Sequence, residues 1–308
     1  MSDADLKQNI FGVDFKNPVI AASGTFGFGE EFGDFYDVNL LGGFVTKSVT
    51  PGPRRGNDPP RIIETPSGML NAIGLQNNGL EYFVQNILPK YDSLNTTVIV
   101  NVAGRTVEDY ETVCVELDKH ESVKALEINI SCPNVKEGGI AFGASAESAA
   151  GITKFLRAKT GKPLIIKLSP NVTNIAEIAY AVEESGADAV SLINTLTGMV
   201  IDIEKRRPML ANVTGGLSGP AIRPVAVRMV YQVAETVSIP VIGLGGIFCA
   251  RDALEFIISG ASLIQVGCGM FVKPTLPLEV IKGINDYLES HNFNSVSELV
   301  GSIKTKEE

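Results

Sequence analysis

The sequence contains few of the residues that build metal centres. It has two histidines, His120 and His291, and four cysteines that lie far apart without a CxxC pair. Structural zinc sites and iron–sulfur clusters need several such ligands at short, regular spacings. We therefore expect no metal site in this chain. The histidines are expected to be solvated. Before its sequence context is considered, each cysteine is expected to be a small buried apolar side chain, as is usual in a reducing compartment.

Long hydrophobic runs and an excess of basic charge are absent as well. No apolar run reaches the ~18 residues of a membrane helix, and the start, MSDADLKQNIFG, lacks the apolar stretch of a signal peptide. The chain has 26 Lys and Arg against 35 Asp and Glu, a formal net charge of −9, which argues against nucleic acid or an anionic membrane as the main partner. We expect a cytoplasmic protein that binds neither of them.

What is present is enough apolar sequence for a large core. Hydrophobic residues make up 44% of the 308 residues and charged residues 20%, which excludes global disorder. Eight short runs rich in β-branched residues recur, and most are continuously apolar, which is typical of parallel strands buried on both faces. These runs are PVIA at Pro18, FVTK at Phe44, VIVNV at Val98, ALEINI at Ala125, LIIKL at Leu164, AVSLI at Ala189, VIGL at Val241 and LIQV at Leu263.

Segments with helical periodicity lie between most of these runs. Their alternation with strands, without a linker of biased composition, favours a single (β/α)8 TIM barrel over a doubly wound sheet. We predict an α/β fold in which residues 1–308 form one domain. Helices are predicted from Thr106 onward and over 145–159, 174–186, 220–237, 250–259 and 278–290, with Gly186 as a C-terminal cap.

The segment 50–78, after the second strand, departs from this alternation. It is too rich in proline, glycine and asparagine to be a crossover helix, so we predict a long loop insertion that carries short extended pieces. Loops of this length inside a compact domain are usually functional or disordered. The leucine, isoleucine and methionine residues within it favour a packed, functional loop.

Polar residues and glycines follow the predicted strands. A barrel places its chemistry at the carboxyl ends of its strands, so these residues are expected to share one surface. Glycines after the seventh and eighth strands let backbone N–H groups approach an anion, which predicts a phosphate-bearing ligand. The polar residues are Ser23, Lys47, Ser48, Asn101, Asn129, Cys132, Lys167, Asn194 and Thr195, and the glycines are Gly243, Gly245, Gly246, Gly267 and Gly269, with Gly215, Gly216 and Gly219 in a third loop.

The lysines and asparagines indicate what else the ligand carries. Lys47 and Lys167 follow apolar strands, where an ammonium group needs an anionic partner. The carboxamides of the strand-end Asn101, Asn129 and Asn194, and of Asn71 in the long loop, each donate and accept hydrogen bonds. This suits a ring with alternating N–H and C=O groups, such as a pyrimidine or an isoalloxazine. The alternative is that these asparagines only satisfy backbone groups at the barrel rim.

Cys132 lies just past the fourth strand, in a loop where Pro133 stops the strand and Gly138 and Gly139 allow movement. Such a loop could close over a ligand. The thiol could act as a nucleophile or as a base, and its ordinary pKa near ~8.5 leaves a minority of thiolate at neutral pH. No histidine lies nearby in the sequence, which favours a base that acts on an acidified C–H bond.

Across nearly the whole chain these motifs resemble the class 1 dihydroorotate dehydrogenases. The resemblance rests on ASGTFG at 22–27, TKSV at 46–49, NAIGLQN at 71–77, NISCPNV at 129–135 and the glycine loops. Two further stretches, VKEGGIAFG from Val135 and IDIEKRRPM from Ile201, look like subclass 1B.

The resemblance implies a TIM barrel with one FMN per chain that oxidises (S)-dihydroorotate to orotate in pyrimidine (UMP) biosynthesis. It also implies a partner subunit that carries FAD and a [2Fe-2S] cluster and passes electrons to NAD. The expected assembly is a heterotetramer of two catalytic and two electron-transfer subunits.

The same resemblance assigns residues to roles. Cys132 would take the proton from C5 of dihydroorotate while hydride leaves C6. FMN would be held by Ser23, Lys47, Ser48, Asn101, Asn129, Lys167 and Ile193, and its phosphate by Gly219, Gly245, Gly246, Gly267 and Cys268, where other members often carry threonine. The substrate would contact Lys47, Asn71, Ala72, Ile73, Gly74, Leu75, Asn129, Asn194 and Thr195.

Three alternatives stay open at this point. The first is subclass 1A, a homodimer that reduces fumarate without a partner subunit. The second is a Schiff-base phosphosugar aldolase barrel that uses Lys47 or Lys167 as nucleophile. The third is a phosphate-binding barrel without catalytic activity.

Overall fold

A closed barrel of eight parallel strands forms the centre of the computed structural model, which describes residues 4–131 and 142–305. The strands are β3 (Val19–Ala21), β4 (Gly43–Val45), β7 (Thr97–Val102), β8 (Ala125–Asn129), β9 (Leu164–Lys167), β10 (Ala189–Leu192), β15 (Val241–Leu244) and β16 (Ala261–Val266). Barrel strands that follow one another in the chain are neighbours, and β16 pairs with β3 to close the barrel. Each contains or overlaps one of the eight predicted runs, so the predicted TIM barrel is confirmed.

Helices surround the barrel, and all but the first and the seventh of those named below lie at predicted places. They are α1 (Gly79–Tyr82), α2 (Val107–Asp118), α3 (Ala146–Arg157), α4 (Ile175–Glu183), α5 (Arg223–Ala234), α6 (Ala250–Ile258), α7 (Gly269–Val272) and α8 (Leu276–Ser290). Thr106 forms a capping box with Asp109 at the start of α2, and the Asn174 side chain accepts a hydrogen bond from the backbone of Glu177 at the start of α4. α4 ends earlier than predicted, with Glu184 as its cap, and Gly186 lies two residues further on at φ +95°.

The predicted long loop contains a strand pair that belongs to a second sheet. This sheet joins β5 (Ile62–Thr65) and β6 (Gly68–Asn71) to β11 (Leu196–Gly198) and β14 (Gly215–Ser218), in the order β11-β14-β6-β5. β11 and β14 lie in the excursion, the segment of chain between the sixth barrel strand β10 and helix α5. The same excursion contains the strand pair β12 (Ile201–Asp202) and β13 (Arg207–Pro208). The four strands of this excursion were not predicted from the sequence.

Helical structure after β4 was not predicted either. α1 continues into a π-helical turn at Phe83–Ile87 and a 3-10 turn at Leu88–Ser93. Phe83, Ile87, Leu88 and Tyr91 are buried there. Leu80, Phe83, Ile87, Leu88 and Tyr91 follow one another at helical spacing, so the sequence does carry a helix signal here, and the prediction missed it.

The barrel interior changes from apolar to polar along its axis. The hairpin of β1 (Gln8–Ile10) and β2 (Val13–Phe15) closes the amino-terminal end, where Ile10 and Phe15 pack against an apolar layer. The next layer towards the carboxyl end contains polar side chains from five strands. The apolar layer is Ile20, Val45, Ile99, Ala125, Ile165, Ala189, Ile242 and Leu263, and the polar layer is Asn101, Glu127, Lys167, Ser191 and Gln265.

The cysteines and histidines differ partly from expectation. Cys114 is buried as expected, and burial raises the pKa of its thiol to about 12, whereas Cys249 is exposed. His120 is half-buried, with Nε2 3.5 Å from Glu116 Oε1. His291 stacks on the Tyr287 ring at 3.9 Å between centroids. In the described part of the chain, no helix has both the length and the apolar character to cross a membrane.

Candidate active site

A cavity of about 570 Å³ opens at the carboxyl ends of the barrel strands. The small four-stranded sheet borders it, because Met69 and Asn71 of β6 and Gly215 and Gly216 of β14 line it. Most residues singled out from the sequence meet here. Those that line the cavity are Ser23, Lys47, Ser48, Asn71, Ala72, Ile73, Gly74, Leu75, Asn129, Lys167, Ile193, Asn194, Thr195, Gly245, Gly246, Gly267 and Cys268.

Two of the described residues that were assigned to FMN, Asn101 and Gly219, are not among those lining the cavity. Asn101 is fully buried beneath the cavity. Its Oδ1 accepts a hydrogen bond at 2.5 Å from the hydroxyl of Ser48, which does line the cavity. Gly219 lies behind Gly246, in the loop that precedes α5. Cys132 falls outside the described residues, and its predicted role stays a prediction.

A buried ion pair lies at the floor of the cavity. Lys167 Nζ is 3.2 Å from Glu127 Oε1 and also donates to Ser23 Oγ at 3.0 Å. Burial alone would raise the pKa of the Glu127 carboxyl, but the charge of Lys167 and hydrogen bonds from Gln265, Asn101 and Ser191 outweigh it and hold this pKa below the ordinary value. Glu127 is therefore ionised at neutral pH.

The strand-end asparagines are connected to one another and to the rim. Asn194 Nδ2 donates to Asn129 Oδ1 at 3.3 Å, and Asn71 Nδ2 donates to the carbonyl of Gly216 at 3.3 Å. The backbone carbonyl of Asn129 accepts a 2.7 Å hydrogen bond from the Tyr110 hydroxyl. The hydrogen bond to the Gly216 carbonyl thus uses one donor of the Asn71 carboxamide. The side chains of Asn71, Asn129 and Asn194 all border the cavity as well.

Lys47 extends from the end of β4 into the cavity. Among the described residues, no group accepts a hydrogen bond from its ammonium. Burial lowers the pKa of Lys47, Glu31 raises it and Arg61 lowers it further. Lys47 is half-buried, and a partly desolvated ammonium without an acceptor gains from an anionic partner, so this position favours an anionic ligand group.

Backbone geometry supports an anion site at the glycine loops. Gly246 has φ +78°, and a Cβ there would lie 2.6 Å from the carbonyl oxygen of Gly219. The loops after β14 and β15 therefore approach each other more closely than a side chain would allow. Cys268 is next to them; burial raises the pKa of its thiol while a Ser218 hydrogen bond lowers it, and the net shift is upward. A protonated thiol fits a neighbour of an anion rather than a base.

Several residues in and beneath the cavity lining were not predicted. Gln265 and the underlying Glu127 are polar residues inside otherwise apolar strands, a signal that could have identified them, because an isolated buried polar group needs a partner. The loop residues Arg54 and Arg61 also line the cavity, and Arg61 Nη2 donates to Gln76 Oε1 at 2.6 Å. Local sequence carries no comparable signal for these arginines.

Two buried polar atoms around the cavity have no hydrogen-bond partner within the described structure. They are Oε1 of Gln265 and Oγ of Ser131, and both residues line the cavity. Together with the asparagines they offer donors and acceptors to a polar ring. The cavity therefore suits a ligand that combines a polar heterocycle with a phosphate, and it has room for a second, anionic molecule near Lys47.

Comparisons with known proteins agree with this chemistry. A family model described as dihydroorotate dehydrogenase matches residues 5–288. A relative from Bacteroides thetaiotaomicron, named "Dihydroorotate dehydrogenase B (NAD(+)), catalytic subunit", is 55% identical over 301 residues, which cover 98% of this chain and 99% of the relative. A relative with the same name from Bacteroides fragilis is 54% identical over 301 residues, which cover 98% of this chain and 99% of the relative. Another from Geotalea uraniireducens is 53% identical over 305 residues, which cover 99% of this chain and 100% of the relative.

Proposed function

Because the chain belongs to the dihydroorotate dehydrogenase family, we propose that it is the catalytic subunit of an NAD-linked, subclass 1B dihydroorotate dehydrogenase. It oxidises (S)-dihydroorotate to orotate, a step of pyrimidine biosynthesis, and residues 1–308 act as one domain. The observation that carries the proposal is that glycine loops suited to a phosphate line the same cavity as Lys47, Lys167 and the asparagines.

FMN is the cofactor that these residues fit. The unpartnered Gln265 Oε1 offers an acceptor to a ring N–H, and the close approach of the Gly219 and Gly246 loops leaves backbone N–H groups for a phosphate. FMN, when bound, supplies the acceptor for the hydride that leaves C6 of dihydroorotate. The residues proposed to hold it are Ser23, Lys47, Ser48, Asn101, Asn129, Lys167 and Ile193, with Gly219, Gly245, Gly246, Gly267 and Cys268 at the phosphate.

The substrate-binding residues orient dihydroorotate in the same cavity. Lys47 pairs with its carboxylate, the carboxamides of Asn71, Asn129 and Asn194 and the Thr195 hydroxyl bind its ring edges, and residues 72–75 enclose it. The thiolate of Cys132 accepts the proton from C5. Orientation and fixed charges are what the protein contributes to chemistry that the cofactor carries.

An absorption spectrum before and after anaerobic addition of dihydroorotate tests the proposal. Bands of oxidised flavin that bleach are the expected result, and orotate forms in the same amount. Flavin bands that do not bleach would contradict the substrate. A colourless protein that cannot be reconstituted with FMN, and that borohydride traps with a phosphosugar, would support the aldolase alternative instead.

We further propose that electrons leave through a partner subunit with FAD and a [2Fe-2S] cluster, in a heterotetramer of two chains of each kind. The relatives' names mention NAD(+) and a catalytic subunit, which supports this. Co-purification of an iron-containing flavoprotein that confers NAD reduction is the expected result. Efficient fumarate reduction by this chain alone would favour subclass 1A.

The pH dependence of kcat/KM should reveal the protonation of the Lys47 ammonium. Its ammonium can pair with the substrate carboxylate only while protonated, so kcat/KM is expected to fall as pH rises through a pKa below the ~10.4 of a free lysine. In Lys47→Arg, whose guanidinium keeps its charge, this alkaline decline should disappear. An identical decline in the variant would assign it to another group.

Substituting Gly246 should weaken FMN binding. In Gly246→Ala the new Cβ meets the Gly219 carbonyl and occupies a left-handed backbone conformation, which costs about 1–2 kcal/mol and displaces the loop. We expect the dissociation constant for FMN to rise about tenfold or more, measured by titrating apoprotein and following flavin fluorescence. Gly151→Ala in α3 is the control, since its Cβ would have no atom within 4 Å. Equal FMN affinities in both variants would contradict the phosphate assignment.

A further inference from the structure

Glu127 is a charged residue at the centre of the barrel to which the proposed reaction assigns no role. Its side chain has no solvent exposure. Four side chains donate to its carboxylate: Asn101 at 2.7 Å and Lys167 at 3.2 Å to Oε1, and Ser191 at 2.9 Å and Gln265 at 2.8 Å to Oε2. They come from β7, β9, β10 and β16, so four strands converge on one carboxylate.

The carboxylate lies one layer below the cavity. Lys167 and Gln265 line the cavity and Glu127 does not. This order follows from the strands, because Glu127 and Asn129 point to the same side of β8 and Asn129 is the one at the cavity. A ligand over the cavity floor therefore meets the ammonium of Lys167 and the carboxamide of Gln265, both of which are held from beneath by Glu127.

Stability alone does not account for this arrangement. A buried ion pair is weak support for stability, because desolvation of both charges offsets much of their attraction, and apolar residues of similar volume often do as well. What the pair does provide is charge compensation. Lys167 contributes one positive charge and Glu127 one negative charge, so the floor offers N–H donors with no net charge from this pair.

We propose that Glu127 is a positioning residue that offsets the charge of Lys167 beneath the cavity and thereby lowers the reduction potential of the flavin bound there. The inference rests on the proposed function, since it presupposes FMN in this cavity. When flavin takes up two electrons and one proton, it gains one negative charge. An unopposed ammonium nearby would stabilise that charge, and the carboxylate of Glu127 counteracts it.

Removing the charge of Glu127 without changing its shape tests the inference. In Glu127→Gln the midpoint potential of bound FMN is expected to rise, measured in the holoprotein by equilibration with a redox dye. A tenfold gain in the affinity for reduced over oxidised FMN corresponds to a rise of about 30 mV for this two-electron couple. Ser191→Ala is the matched control, because it removes a neutral hydrogen bond to the same carboxylate and keeps the ion pair. Its potential should stay near that of the wild type.

The outcomes separate this inference from the proposed function. A wild-type chain that binds no flavin would refute the proposed function. An unchanged or lower potential in Glu127→Gln, or an equal rise in Ser191→Ala, would refute only the role of Glu127.

Glu127→Gln leaves the Lys167 ammonium without its counter-charge and could fold poorly for that reason. A second pair of variants tests the inference in that case. Lys167→Met with Glu127→Gln should have a higher potential than Lys167→Met alone, because the two differ only in the charge of residue 127. Equal potentials would overturn the inference. Loss of FMN from every one of these variants would also overturn it, since the pair would then only hold the site together.

Discussion

Turnover with dihydroorotate should fall about 10²–10⁴-fold in Cys132→Ala while FMN stays bound, because a positioned general base contributes about that factor to proton transfer. Without the thiol, water is left to take the proton from C5. Steady-state kinetics give the loss, and anaerobic rapid mixing shows directly whether the decline lies in flavin reduction. The flavin spectrum of the variant checks that cofactor binding is intact.

Two further variants make this result specific. Cys132→Ser keeps a group that can accept a proton, but its hydroxyl ionises much less readily, so its activity should lie below the wild type and increase towards alkaline pH. Cys249→Ser changes an exposed cysteine that has no part in the proposed site, and its turnover should equal that of the wild type. Unchanged turnover in Cys132→Ala would refute the assignment of the base.

Lys167→Met is expected to destabilise the folded chain strongly. It leaves the Glu127 carboxylate buried without its counter-charge, and breaking a buried pair by removing one partner costs about 3–5 kcal/mol of unfolding free energy. Urea unfolding of FMN-free protein measures this loss without a contribution from the cofactor.

The matched comparisons distinguish the buried charge from the loss of a lysine in general. The pair of Lys273 and Glu279 is about half exposed, at 54% and 50%, so Lys273→Met should change stability by at most about 1 kcal/mol. Adding Glu127→Gln to Lys167→Met removes the unpaired charge and should recover much of the loss. A loss in Lys167→Met no larger than that in Lys273→Met would contradict an uncompensated charge at the barrel centre.

The barrel itself could be predicted because its signals are local. Runs such as VIGL at Val241 are continuously apolar over the length of one strand, and caps such as Thr106 and Asn174 mark helix starts within a single turn. The segment 79–93 also has apolar residues at helical spacing, but no side chain caps its start, and α, π and 3-10 turns replace one another along it. For β14 the sequence GGLS predicts a glycine loop, and it forms a strand only because it pairs with β6 and β11.

The candidate site was predictable in membership and less so in arrangement. Strand ends identified Ser23, Lys47 and Asn129 correctly as residues bordering one cavity. Asn101 follows the same rule and yet lies beneath the cavity, because β7 continues one residue beyond it and its side chain falls in the layer of Glu127. The rule specifies which end of the barrel a residue occupies and not which layer.

Three features follow from the sequence alone: the alternation of strands and helices, the negative net charge, and the polar and glycine residues at the strand ends. Each depends only on composition or on residues close together in the chain. Which of these residues meet depends on the closed barrel. Gln265 and Glu127 are 138 positions apart, and closing the barrel with a particular register between strands brings their side chains to 2.8 Å. Register is a property of the whole closed sheet, so the charge pair beneath the cavity exists only once all eight strands are in place.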